Sequence, residues 1–208
     1  MNNETAKKIR QRIYGHGRGW VFIAKDFLDI ASHENARKIL SRLTTAGTIR
    51  RLMHGVYDYP RPSTLFDAPA APDPYAIARA IARAHGWTIM PTGDTAANIL
   101  GLSTQIPARY QYLSDGPTKH YEWDNGTLTF KHRTNKETTK LSGGTALLVQ
   151  ALKNIGESQI DNAVKNKIMA KLTPGEIKIA LREAKYSTAW VYEIIKELDV
   201  KRRDVCIE

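Results

Sequence analysis

Cysteine is nearly absent from this sequence. The only one, Cys206, stands two residues from its end. That excludes a disulfide framework and any zinc site built from several cysteines. Long apolar runs are missing too, and nothing approaches the roughly 20 consecutive apolar residues a membrane-spanning helix needs. Met1-Asn2-Asn3-Glu4 is followed by no apolar segment of the signal-peptide kind, so a cytoplasmic protein with no membrane partner is expected. The histidines (His16, His33, His54, His85, His120, His132) are scattered, without H-x3-H or HExxH spacing, so no metal is expected. No G-x-S-x-G nucleophile motif occurs. Gly15-His16-Gly17-Arg18-Gly19 is rich in glycine, but it follows a helical pattern and lacks the Lys-Ser/Thr of a phosphate loop. Ser142-Gly143-Gly144-Thr145 reads as a helix start. These absences leave no cofactor to expect and little basis for catalysis.

What is present is positive charge, unevenly placed. The net charge is +10. Residues 1–64 hold 12 of the 31 Lys and Arg but only 5 of the 21 Asp and Glu, a balance of +7. A basic segment joined to a nearly neutral one is the charge footprint of a nucleic-acid-binding module with a partner domain.

The composition breaks at Pro60. The stretch PRPSTLFDAPAAPDP, residues 60–74, holds five of the nine prolines. It favours extended backbone and can continue neither a helix nor a central strand. It reads as a linker between a domain of residues 1–59 and one of 75–208, with Leu65 and Phe66 pinning part of it to a neighbour.

Within 1–59, Ala6, Ile9 and Ile13 share one face of a helix that the glycines at 15, 17 and 19 end. Trp20-Val21-Phe22 suits a short strand. Lys25 to Ala31 suits a second helix with Phe27, Leu28 and Ala31 inward. Ser32 is placed to cap a third helix carrying Ala36, Ile39, Leu40 and Leu43 on one apolar stripe, and Ala46-Gly47 stops it. Thr48–Met53 and Val56–Tyr59 flank His54-Gly55 as a tight hairpin. Helix, short strand, two helices and a two-stranded wing make a winged helix-turn-helix.

Beyond the linker, Asp73-Pro74 opens a helix with Ile77, Ala80, Ile81 and Ala84 inward, closed by Gly86. Trp87–Met90, Arg109–Ser114, Lys119–Trp123 and Thr127–His132 suit strands, with Asp115-Gly116-Pro117 and Asp124-Asn125-Gly126 as turns. Asp94–Leu100 suits a short helix. Further helices are marked by Leu147 to Ile155, by Ile160 to Met169, by a capping box at Thr173-Pro174-Gly175-Glu176, and by Trp190 to Leu198. The fold class is α+β: an N-terminal winged helix, then a mixed domain with a helical tail.

In a helix-turn-helix the second helix of the pair presents its outward side chains to the major groove. Here those positions are His33, Glu34, Asn35, Arg37, Lys38, Ser41, Arg42 and Thr45. Asn can bond adenine at two points and Arg guanine, while Lys38, Ser41 and Arg42 can equally hold phosphates. The wing adds Arg50, Arg51 and His54, suited to the backbone or minor groove, and Arg18 lies in the glycine loop. The alternative for each is ordinary solvated charge, which is how Lys7 and Lys8 read. The neighbouring wing favours a DNA surface for the face as a whole.

Further resemblance lies in Tyr14-Gly15-His16-Gly17-Arg18-Gly19-Trp20-Val21-Phe22 followed by Lys25-Asp26-Phe27-Leu28, and in Ile49-Arg50-Arg51-Leu52 with Gly55-Val56-Tyr57-Asp58-Tyr59-Pro60. The second domain adds the run Asn98 to Arg109 (NILGLSTQIPAR) and Tyr112-Leu113-Ser114-Asp115-Gly116-Pro117. Together, from about Lys8 to Leu152, the chain resembles the AbiEi-type antitoxins of abortive-infection type IV toxin–antitoxin systems. The resemblance implies a winged helix that binds an inverted repeat in its own promoter and represses the operon. It also implies a second domain that counters a nucleotidyltransferase-like toxin, usually without a stable complex. The family's basic DNA-contacting positions fall on the third helix and wing, including Arg37, Lys38, Arg42, Arg50 and Arg51.

Two other classes compete. A metal-dependent nuclease would need clustered acids near a Lys, and Glu122, Asp124 and Lys131 are the nearest approach. A winged helix can also serve as a protein-interaction adaptor. Either a monomer or a weak homodimer can fill a two-fold DNA repeat, and Trp190, Ile194 and Leu198 on the last helix read as core or as a dimer seam.

Overall fold

The computed structural model describes residues 3–63, 68–103, 109–124, 126–133 and 141–205. Leu65, Phe66, the turn residue Asn125 and Cys206 lie outside them. The fold is mixed α+β with two small sheets. Contacts divide the chain into two compact units, Met1–Trp87 with Tyr121–Thr127, and Thr88–His120 with Leu128–Glu208.

The first unit opens with α1 (Asn3–His16), whose Ile9 and Ile13 are fully buried. Gly17 and Gly19 follow it, and β1 (Val21–Ile23) is buried along its length. A single 3-10 turn, Ala24–Phe27, stands where a second helix was expected. Its tightness has a local cause: the Asp26 carboxylate accepts from the Ile23 amide at 3.0 Å and closes the turn. One turn also cannot bury the whole expected face. Phe27 goes into the core, but Leu28 stays more than half exposed.

The Ser32 hydroxyl accepts from the Asn35 amide and starts α2 (His33–Thr45). Ala36, Ile39, Leu40 and Leu43 are its buried residues, the stripe that the 3.6-residue period puts on one side. After Ala46, Gly47 adopts a left-handed φ of 68°, and the Thr48 amide returns to the Leu43 carbonyl at 3.0 Å. β2 (Arg50–Met53) and β3 (Val56–Asp58) then form the wing around Gly55, whose φ of 76° only glycine adopts without strain. The sheet order is β1-β3-β2, both pairs antiparallel. Trp20, Phe22, Phe27 and Tyr57 interlock beneath it; the rings of Phe22 and Phe27 meet edge-on, 5.7 Å between centroids.

The next helix, α3 (Pro74–His85), begins on the Asp73 cap and ends at Gly86, whose φ is 72°. It packs on β1 and β3, and Arg83 grips the first unit with a fork onto Asp26 (3.1 and 2.9 Å) and a bond to the Val21 carbonyl. The division by contacts therefore falls at Trp87, later than the 60–74 boundary that composition indicated. Proline content marks where the chain is extended; it does not mark where packing stops.

The second sheet has the order β4-β5-β7-β6, from β4 (Ile89–Pro91), β5 (Tyr110–Ser114), β6 (Lys119–Trp123) and β7 (Gly126–His132). The turn after β5 does not make a hairpin with β6. Instead β5 runs parallel to β7, with Tyr112 opposite Phe130. The helices of the second unit are α4 (Gly93–Ile99), α5 (Gly143–Ile155), α6 (Asn162–Lys171), α7 (Pro174–Glu183) and α8 (Ala189–Val205). They share one core containing Leu100, Leu148, Leu152, Ile168, Ile177, Val191, Ile195 and Leu198. Trp190 and Ile194 pack against that core. The Thr173–Glu176 capping box starts α7. No helix among the described residues is long and apolar enough to cross a membrane.

Candidate nucleic-acid interface

The outward side of α2 and the wing enclose one concave groove. Glu34, Arg37, Lys38 and Ser41 line it from the helix, and Arg51, His54, Gly55 and Tyr57 from the hairpin. Arg37, Lys38, Ser41, Arg51 and His54 are thus brought together as the sequence pattern anticipated.

The wing has an irregularity that the sequence pattern did not signal. Arg50 pairs with Asp58 and Arg51 with Tyr57, but the next pairing is Met53 with Val56, so the register slips by one residue in β2. Such a bulge bends the strand and re-aims its side chains. Here it sits beside Arg51. Arg51 donates to the His54 ring Nδ1 at 3.1 Å, which fixes the two tip residues against each other. That bond needs a lone pair on Nδ1, so it is made by the imidazole that carries its hydrogen on Nε2.

Arg50 goes the other way, because successive residues of a strand point to opposite faces. Its guanidinium forks onto Asp58 at 3.1 and 2.7 Å and also donates to the Ala70 carbonyl. The Asp58 side chain is 2% exposed. A buried carboxylate with this partner is a structural ion pair, and Arg50 does not line the groove. Arg18 is likewise engaged, bonded to the Pro60 carbonyl at 2.9 Å with its guanidinium over the Tyr59 ring. It holds the glycine loop against the end of the wing.

On α2 the candidates separate by angle. At about 100° per residue, Asn35 and Arg42 lie roughly 140–160° around the helix from Arg37. They occupy the flank away from the wing, and neither lines the groove. Arg42 is exposed and Asn35 half-buried. His33 is exposed at the first turn, where the helix N-terminus favours an anion. Lys38 is bound to Glu34 at 2.6 Å, both largely exposed. Its ammonium holds the Glu34 carboxyl below its ordinary value, first through that hydrogen bond and then through charge.

The alternative acid cluster fares differently. Glu122, Asp124 and Lys131 are all exposed. No group of three His, Cys, Asp or Glu among the described residues is arranged to hold a metal ion.

Residues 8–179 match the profile described as a family of unknown function, DUF6088. No curated protein matches the chain. Among solved structures, the RV2827C protein from Mycobacterium tuberculosis is similar at 16% identity and a TM-score of 0.36, over 86% of this chain and 71% of that one.

Proposed function

Because the chain belongs to the DUF6088 family, whose function is unknown, its role must be read from its own residues, and we propose that it is a sequence-specific DNA-binding autorepressor. In this reading it acts by binding and carries out no catalysis. α2 enters the major groove of duplex DNA, which is wide enough for a helix. Arg37 meets base edges, Lys38 and Ser41 hold phosphates, and the Arg51–His54 tip lies on the adjacent backbone or minor groove. The observation that carries the reading is the single groove shared by Arg37, Lys38, Ser41, Arg51 and His54. It lies within residues 1–64, the stretch that carries +7 of the chain's net +10.

The second half of the proposal is antitoxin action. The second unit counters a nucleotidyltransferase-like toxin of a type IV abortive-infection system, a role supported by the resemblance of the run Asn98 to Arg109 and of Tyr112 to Pro117. Acting on its own promoter places the protein in the cytoplasm, as a monomer or weak dimer on an inverted repeat.

The test is fluorescence anisotropy on the inverted repeat upstream of its own gene, against a scrambled duplex at physiological salt. Preference for the repeat is expected, and equal affinity would overturn the repressor reading. For the second half, an Arg37→Ala/Arg51→Ala protein co-expressed with a nucleotidyltransferase-like toxin of this class is expected to restore growth without binding DNA. No rescue by either this protein or the wild type would overturn the antitoxin role.

A further inference from the structure

Behind the DNA-facing groove lies a second concavity of about 270 Å³ in the same unit. Its walls are apolar, built from Ile23 of β1, Met53 and Val56 of the wing, and Ile81 and Ala84 of α3. Its polar lining holds two cations, Lys25 and Arg37, beside His33, His54, His85 and Tyr121, with no carboxylate among its lining residues. Lys25 is held in place by the Ala84 carbonyl at 2.6 Å, which orients the ammonium without neutralising it. Neither Lys25 nor Arg37 has an acidic side chain within ion-pair distance among the described residues. Two cations without an ion-paired carboxylate at the mouth of one apolar cavity suit an anion with an apolar body.

Size narrows the class further. An apolar cavity of about 150 Å³ holds a benzene ring, and drug-sized sites start near 300 Å³. The space here therefore fits one ring bearing a short acidic arm. We propose that this cavity binds a small aromatic carboxylate, with the ring against Ile81 and Val56 and the carboxylate on Lys25 and Arg37. Arg37 and His54 line the DNA-facing groove as well. A ligand that engages them from behind withdraws them from DNA, so occupancy lowers operator affinity. This regulatory half rests on the DNA-binding reading; the ligand site itself does not.

The test therefore begins without DNA. Full-length protein with labelled methyl groups is titrated by NMR with phenylacetate, with its neutral counterpart phenylacetamide, and with sulfate. Phenylacetate is expected to shift the methyl signals of Met53, Val56 and Ile81 and to saturate. Phenylacetamide should bind about tenfold more weakly, since a bond to a charged group contributes about 1.5 kcal/mol or more. Lys25→Gln should lose about as much, and Ala84→Leu, which fills the cavity from a helical position, should abolish the shifts. Equal binding of acid and amide, shifts equally produced by sulfate, or indifference to Lys25→Gln would overturn the site. Operator affinity is then measured with and without saturating phenylacetate. A fall of about tenfold in the wild type that is absent in Ala84→Leu supports the regulation, and an unchanged affinity overturns that half alone. If the protein binds no operator at all, the repressor reading fails while the titration still reports on the site.

Discussion

Two sets of arginines in the first unit meet opposite fates. Arg12, Arg50 and Arg83 each fork onto an aspartate, namely Asp29, Asp58 and Asp26. Arg37 and Arg51 have no carboxylate within ion-pair distance among the described residues. All five acids of residues 1–64 are already committed, because Glu4 holds Lys8 and Glu34 holds Lys38. The excess positive charge is therefore not diluted over the unit. Part of it is concentrated where α2 meets the wing, and that residue-level imbalance tells more than the net charge does. A cation with an aspartate fork belongs to the fold, whereas Arg37 and Arg51, without one, line the groove.

The sharpest break of that contrast is Arg50→Ala against Arg51→Ala, neighbours on one strand. Arg50→Ala leaves the buried Asp58 carboxylate uncompensated. Since Arg50 is itself partly solvated, a loss of about 2–3 kcal/mol is expected in urea denaturation. Arg51→Ala should leave the denaturation midpoint nearly unmoved. Next in size, Arg37→Ala is expected to weaken operator binding by about 1–3 kcal/mol and to relax preference at one base position. Stability should stay within about 0.5 kcal/mol, as for other exposed sites. The effect of Arg51→Ala on DNA should be smaller and nearly independent of sequence, reducing the salt dependence of log Kd by about one contact. An unaltered salt slope would place Arg51 off the backbone.

The smallest effect concerns Arg12 and Asp29, a largely exposed pair. The Arg12 fork, above all through its hydrogen bonds, holds the Asp29 carboxyl below its ordinary value. A group depressed in the folded state stabilises the protein above its unfolded pKa, and that contribution fades as pH falls through the folded one. Acid titration of stability should therefore show a slightly steeper loss below about pH 4 in the wild type than in Arg12→Ala.

Much of the first unit was readable from one dimension, because its signals are local. The Ser32 cap, the Ala36–Leu43 stripe, Gly47 and Gly55 each act within a few residues of themselves. What went unread depended on partners far along the chain. Arg50 and Arg51 look equivalent as letters, and only Asp58 across the sheet separates them, although the two-residue period already implied opposite faces. Leu28 was expected inward because the turn holding it was taken for a longer helix, whereas the Asp26 carboxylate tightens that turn. In the second sheet, two turn sequences separate the strands, yet nothing in them tells that β5 lies beside β7. Turn residues show that the chain reverses; which neighbour the returning strand chooses is decided by non-local pairing.

The position of α3 has a consequence for how the protein is made. Its apolar face, with Ile77, Ala78, Ala80 and Ile81 buried, lies on β1 and β3, and Arg83 reaches back to Asp26 and the Val21 carbonyl. During synthesis, α1, α2 and the wing leave the ribosome before that cover exists. Until Gly86 has emerged, the back of the small sheet faces solvent or chaperone, and Asp26 waits for its guanidinium.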